Sequence, residues 1–194
     1  MEWFRNLITR ITSNVEETLK SESDYIQMRL LVDAITEDFE NKLRQRINEN
    51  NIRYNIREAN KEDIKSITKL YKLAWNSTSM PYHNLNEQNL SEMMEDPDII
   101  FLIAQANSID CGFALIYFSG RNNEVGVIAG LGVIPKFQHK GLGTLLGLTV
   151  WEYFKKRSVK ELRCKVYKKN PKSYQFIKNL KFEEYDDDLV TWKF

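Results

Sequence analysis

The chain has 194 residues, 42% of them hydrophobic and 28% charged, so it can bury a core without disulfide or metal staples and is too apolar for a disordered chain. No apolar run approaches the ~18–20 residues needed to cross a bilayer, and the first residues, with Glu2, lack the basic-then-apolar pattern of a secretion signal. The formal net charge is only +1, yet residues 136–181 hold 13 Lys and Arg against 2 acids, a net +11 that leaves −10 on the remainder; such a split field suits a polyanion on one side of the molecule.

The first 80 residues contain neither glycine nor proline: all 8 glycines lie at or beyond Gly112, and the first of 4 prolines is Pro81. Residues 1–50 read as helix. Trp3, Leu7, Ile11 and Val15 recur every four residues, and Met28, Val32, Ile35, Phe39, Leu43 and Ile47 every three or four, one helical stripe. A break with a capping serine falls at 21–24. This predicts a helical N-terminal extension over 1–50 ahead of a domain over 51–194; the extension offers a face for a homodimer over residues 25–47, or packs back on the domain, or shapes the acceptor site.

Residues 52–59 alternate like a strand. Asn60, with Asp63 three residues on, predicts a capped helix whose apolar face is Ile64, Ile67, Leu70, Tyr71 and Ala74. A polar loop over 77–86 holds Pro81, Tyr82 and His83, and a short helix over 87–94 ends at Asp96-Pro97-Asp98. The runs 99–106 and 111–118 predict a hairpin. A third strand spans 125–133, its glycines marking a bulge or a close backbone approach. Then come a helix with Leu142, Leu145, Leu146, Thr149, Tyr153 and Phe154 on one face, a strand over 161–167, a helix over 171–180, and strands over 182–185 and 189–194. This order predicts an α/β fold with a central mixed sheet flanked by helices, rather than a doubly wound parallel sheet. Cys111 and Cys164 sit in separate strands with no CxxC spacing or nearby histidine. No metal site is expected, and the two read as reduced thiols of a cytoplasmic protein.

The most informative stretch is Leu131-Gly132-Val133-Ile134-Pro135-Lys136-Phe137-Gln138-His139-Lys140-Gly141-Leu142-Gly143. A glycine-rich turn opening a helix leaves backbone N–H groups without internal partners, aligned with the helix dipole behind them, and so suits a pyrophosphate. Gly141 and Gly143 let the backbone come close to phosphate oxygens, and His139 and Lys140 add donors at the rim. No Gly-Lys-Ser/Thr closes the turn as in a Walker A loop, and the dinucleotide spacing G-x-G-x-x-G is absent.

These residues resemble the acyl-CoA-binding motif of the GNAT N-acetyltransferase superfamily, Q/R-x-x-G-x-G/A after a strand ending in a V-x-P-like turn: Val133, Pro135, Gln138, Gly141 and Gly143 match it. Val166, Asn170, Ser173, Leu180 and Phe182 match the family's second cofactor motif. The element order from Ile52 to the C-terminus also agrees, whereas residues 1–50 lie outside the resemblance. It implies that strands 125–133 and 161–167 splay apart. The pantetheine arm of acetyl-CoA, the cosubstrate, would then lie in the cleft against main chain at Leu131 and Val133. The pyrophosphate would sit on Gln138, His139, Lys140, Gly141, Leu142, Gly143 and Thr144, and Asn170 would reach the pantetheine. The +11 segment spans both motifs.

The reaction so implied is direct attack of a primary amine on the thioester. Many relatives place a tyrosine acid seven residues after the motif asparagine; here that residue is Ile177, and Tyr174, one turn earlier, is the substitute candidate. The glutamate base of many relatives aligns with Val127, leaving Glu124 and His83 as candidates. Lys181 stands where the family has glycine before Phe182. The expected function is acetyl-CoA-dependent N-acetylation of an unidentified small-molecule or peptide amine. The alternative is a non-catalytic acyl-CoA-binding or regulatory module. A role on RNA through the same lysines is a third reading, with no base-stacking motif to support it, and no membrane partner is expected.

Overall fold

The computed structural model describes residues 24–48, 52–78, 85–120 and 122–185. Strand β1 (Tyr25–Leu31) leads through a short 3₁₀ turn (Val32–Ala34) into helix α1 (Glu37–Asn48). Then follow β2 (Tyr54–Glu58), α2 (Ile64–Trp75), α3 (Glu87–Met93), β3 (Ile99–Ala106), β4 (Ile109–Ser119) and β5 (Val125–Val133). The chain continues with α4 (Leu142–Lys156), β6 (Glu161–Tyr167), α5 (Pro171–Asn179) and β7 (Glu183–Glu184). The seven strands form one sheet in the order β2-β3-β4-β5-β6-β1-β7, in which only β5 and β6 run parallel. The mixed sheet between helices is as the sequence predicts.

Residues 25–31 correct the reading of 1–50 as helix. They form a strand paired antiparallel with β6 over all seven residues, Tyr25 opposite Tyr167 and Leu31 opposite Glu161. Ile26, Met28 and Leu30 face the core while Gln27 and Arg29 do not, the period-two alternation of a half-buried strand. The stripe misled because a step of four is even: Met28 and Val32 share a face in a strand as well as in a helix. From Phe39 the helical reading holds, with Thr36 Oγ1 accepting from Phe39 N at 3.3 Å as N-cap and acids filling the first turn. Met28 and Leu43 of the stripe are buried within one copy, so at these positions the segment packs back on the domain. Residues 1–23 and the strand expected over 189–194 lie outside the described residues.

Each face of the sheet carries its own core. On one side α4 lays Leu142, Leu146, Val150 and Phe154 against Ala114, Ile116, Phe118 and Leu162. Helix α1 crosses α4, and Glu40 Oε1 accepts from Trp151 Nε1 at 2.8 Å and Lys155 Nζ at 2.5 Å, while Arg44 reaches Glu152 at 2.7 Å. On the other side Ile67, Leu70, Tyr71 and Ala74 of α2, with Leu90 and Met93 of α3, cover Phe101, Ile103 and Phe113. The expected capping box is present: Asn60 and Asp63 exchange side-chain and backbone hydrogen bonds. Asn107 and Ser108 turn the β3–β4 hairpin with φ of +49° and +63°, the two left-handed residues of a type I′ turn.

Candidate active site

Strand β5 changes character halfway along. Its register against β4 slips between Leu115 and Ile116, so that Gly130 and Ile128 take consecutive partners and Ala129 is left over, a β-bulge. The extra residue exchanges the two faces. Before it, a Cβ on Gly126 would lie 2.6 Å from the Phe154 ring on the α4 side; after it, a Cβ on Gly132 would lie 2.5 Å from Phe113 and 2.9 Å from Ala74 on the α2 side. The pairing with β6 ends at the same place, running only from Val125 opposite Glu161 to Ile128 opposite Cys164. Beyond Ile128 the two parallel strands part, as the motif resemblance implies.

The parted edge presents usable main chain. Ile134 N donates to Cys111 O at 3.0 Å, which makes Cys111 and Ile134 a hydrogen-bonded pair. Bonded and non-bonded pairs alternate along an antiparallel ladder. Gly112/Val133 and Ala114/Leu131 are therefore non-bonded pairs, and Leu131 and Val133 turn their N–H and C=O groups away from β4 into the opening. One of these groups is already used: Gln138 Nε2 donates to Val133 O at 2.9 Å.

Below the opening, a 3₁₀ turn (Pro135–Phe137) and the glycine turn carry the chain into α4. Phe137 is buried and anchors the loop, with the Lys136 and Lys140 ammonium groups 5.9 and 5.7 Å from its ring; Tyr54 Oη donates to Lys140 O at 3.3 Å. His139 and Gly141 adopt φ of +59° and +78°. Gly141 is the N-cap and has no side-chain cap; the first helical bond is Leu145 N to Gly141 O at 2.9 Å. The N–H groups of Leu142, Gly143 and Thr144 thus have no partner within the helix. N–H groups so placed at a helix N-terminus are of the kind that can take an anion. A Cβ at Gly143 would meet only the Phe176 ring, at 3.4 Å.

Asn170 forms the opposite lip, at the N-cap of α5 just beyond β6. Its Oδ1 accepts from Ser173 N at 3.1 Å, but its buried Nδ2 has no partner among the described residues. An unpaired buried amide costs about 1–3 kcal/mol, so this donor fits a ligand carbonyl such as those of pantetheine. Leu131, Val133, the glycine turn and Asn170 are brought to one end of the sheet, where the basic residues Lys136, Lys140, Lys168, Lys169 and Lys172 also gather.

Of the catalytic candidates, Glu124 and Tyr174 are not brought together. Glu124 precedes β5, about 23 Å along the strand from Leu131 at ~3.3 Å per residue. Its C=O takes the N–H groups of Lys160 and Glu161, and its carboxylate lies 3.9 Å from Lys160 Nζ. Tyr174 donates its hydroxyl to Glu184 on β7, which β6 and β1 separate from β5. That hydrogen bond, with desolvation and the Glu184 charge behind it, holds the phenol above its ordinary pKa. Ile177 is buried in the core, and Val127 is flanked in the sheet by Tyr117 and Arg163 rather than by a carboxylate. His83 lies outside the described residues. Lys181 keeps the turn before Phe182 by taking φ of +68°, the conformation glycine adopts freely. The hydrogen bond from Gln138 to Ser77, and the anchoring of the loop by Tyr54, have no signal in the sequence, since both join segments far apart in the chain.

A second cleft, of about 590 Å³, opens near the other end of α4, lined by Glu58, Ile100, Phe118, Tyr153, Lys156 and Arg157 among others. It lies ~20 Å from the glycine turn by the length of the helix. No group of His, Cys, Asp and Glu among the described residues could hold a metal ion, and no described helix is long and apolar enough to cross a membrane.

Comparison with known proteins agrees with this geometry. The Acetyltransferase (GNAT) family profile matches residues 66–182. A protein of Methanocaldococcus jannaschii named as an uncharacterized N-acetyltransferase is 28% identical over 138 residues, 68% of this chain; the match spans 61% of that relative's length. Among solved structures, the PaiA N-acetyltransferase of Thermoplasma acidophilum in complex with coenzyme A shares the fold with a TM-score of 0.60 and 21% identity, over 66% of this chain and 88% of that one. The ribosomal-protein-S18-alanine N-acetyltransferase of Escherichia coli gives 0.59 and 18%, over 69% and 80%. With the profile covering the parted strands, the glycine turn and the second motif together, the chain belongs to the GNAT acetyltransferase family.

Proposed function

We propose that the protein is an acetyl-CoA-dependent N-acetyltransferase acting in the cytoplasm on a primary amine. The observation that carries this reading is the parted edge of β5 beside an uncapped helix N-terminus and the unpaired Asn170 amide. Acetyl-CoA, when bound, supplies an activated acyl group. The chain's residues do the holding: Leu131 and Val133 offer main chain to the pantetheine arm, Leu142, Gly143 and Thr144 offer N–H groups to the pyrophosphate, and Asn170 supplies a buried donor. His139 and Lys140 stand at the rim of the same turn, and Gln138 braces it. The amine must be neutral to attack, although a lysine-type amine is mostly protonated at neutral pH.

The absence of an acid at Val127, the burial of Ile177 and the engagement of Tyr174 with Glu184 favour a second reading, a non-catalytic acyl-CoA-binding module. Calorimetric titration with acetyl-CoA and CoA tests the site. Micromolar binding, about −8 kcal/mol, is expected in the unaltered protein and loss of it in Gly143→Trp, whose indole would fill the space before the N–H groups. Failure of the unaltered protein to bind either ligand overturns both readings. An amine panel of peptides, polyamines, aminoglycosides and amino acids then separates them: amine-dependent release of CoA thiol excludes the non-catalytic module.

A further inference from the structure

Gln138 does something that the glycine turn does not require. Its side-chain amide uses both N–H groups away from the anion cradle, one on Val133 O at 2.9 Å and one on Ser77 Oγ at 3.3 Å. Ser77 in turn donates its hydroxyl to Ala74 O at 2.6 Å, in the last turn of α2. A planar amide thus bridges the open edge of β5 to the end of the helix on the other face of the sheet. The bridge is reinforced by packing, because Ala74 lies against Gly132, where an added Cβ would come within 2.9 Å. Gly132 sits between the two residues whose main chain faces the opening.

We propose that Gln138 is a positioning residue that couples occupancy of the β5 edge to the order of the last turn of α2 through Ser77. This rests on the reading that CoA binds along Leu131 and Val133. Hydrogen bonds from the ligand to that edge would fix Val133, and its carbonyl is the anchor of the bridge. A fixed Val133 fixes the amide plane, and the amide holds Ser77 and the carbonyl of Ala74. The bridge takes one of the two acceptor sites of the Val133 carbonyl, so Leu131 N–H, Leu131 C=O, Val133 N–H and the remaining lone pair of Val133 C=O face the opening.

Amide hydrogen exchange of residues 74–78, with saturating CoA for each variant, tests the coupling without any acceptor. In the unaltered protein CoA should slow exchange of Asn76, Ser77 and Thr78 by about tenfold, the worth of one to two net hydrogen bonds. Gln138→Met, which keeps length and loses both donors, and Ser77→Ala should each reduce that slowing to about twofold or less. Ser77→Thr, which keeps the hydroxyl, should preserve it. Slowing that persists in both Gln138→Met and Ser77→Ala overturns the proposal, as does its loss in Ser77→Thr. Calorimetry on the same samples separates the two levels of failure: CoA that binds the unaltered protein without slowing these amides overturns the coupling alone, and CoA that does not bind overturns the cofactor reading and the coupling together.

Discussion

The two edges of β6 receive different treatment. Toward β1 the strand is paired along its whole length, seven residues in register, with Met28 fully buried and the rings of Tyr25 and Tyr167 5.5 Å apart. Toward β5 it is paired over four residues and then abandoned at the bulge. Backbone N–H and C=O groups must find partners in the protein, in water or in a ligand. The β1 edge closes every such group inside the chain and contributes stability. The β5 edge leaves its groups at Leu131 and Val133 for something else, and the sheet tolerates this because β4 holds the other side of β5 throughout. Pairing on the β5 side stops at the bulge, whereas a segment outside the resemblance pairs the other edge of β6 in full.

The contrast can be broken most sharply at Met28. If β1 is an integral strand, Met28→Ala removes a fully buried side chain and should lower unfolding free energy by about 3 kcal/mol in urea titration. An effect below about 0.5 kcal/mol is the behaviour of a surface position and would show residues 25–31 to be a detached extension after all.

Two glycines of β5 compare its halves directly. A Cβ on Gly126, in the paired half, would sit 2.6 Å from the Phe154 ring, whereas one on Gly130, in the parted half, first meets Phe113 at 3.5 Å. Gly126→Ala should therefore cost about 2 kcal/mol by overpacking. Gly130→Ala should change stability by less than about 0.5 kcal/mol. Equal costs in thermal unfolding would mean that the second half of the strand is as enclosed as the first.

On the closed side, α1 is fastened to α4 by a carboxylate, which gives that contact a pH signature. Burial pushes Glu40 up, but the hydrogen bonds from Lys155 and Trp151, with the charges of Lys155 and Arg44, more than reverse this and leave its pKa below the ordinary value. A carboxyl depressed on folding stabilises above its unfolded pKa and loses that contribution as pH falls through the folded value. Stability should decline as pH falls below about 4.5, and Glu40→Gln should remove Glu40's share of that decline. Acid and neutral urea titrations of the two proteins measure it; an unchanged acid limb in Glu40→Gln assigns the decline to other carboxylates.

Much of this architecture is legible in the chain because local rules and tertiary packing agree. Asn60 and Asp63 announce α2, the Asn107–Ser108 pair turns a hairpin, and the glycine turn reads as an anion cradle from its backbone requirements alone. The strand at 25–31 carries a signal in Ile26, Met28 and Leu30 interleaved with Gln27 and Arg29, but an even spacing also fits a helix, and only pairing with β6, 130 or more residues away, decides between them. The site is legible in its main-chain part and illegible in its side-chain part for the same reason. A row of free N–H groups follows from the turn; that Tyr174 turns to Glu184 and Gln138 to Ser77 depends on which elements the fold brings alongside.

The smallest effect concerns the outer end of the closed side, where α5 turns into β7. Lys181 sits left-handed at φ +68°, closing α5 with its N–H on Lys178 O at 2.9 Å while its ammonium lies 4.9 Å from the Phe39 ring. Two terms oppose each other here. A residue with a Cβ loses about 1 kcal/mol in this conformation, and an exposed cation over an aromatic face returns about 0.5–1 kcal/mol. Lys181→Ala keeps the strain and loses the ring contact, so it should destabilise. Lys181→Gly loses both, so it should come out close to the unaltered protein, about 1 kcal/mol above the alanine variant. Urea unfolding of the pair isolates the backbone term, since the two differ by one methyl group. If alanine matches glycine, the left-handed turn carries no strain, and the ring contact alone accounts for lysine at this corner.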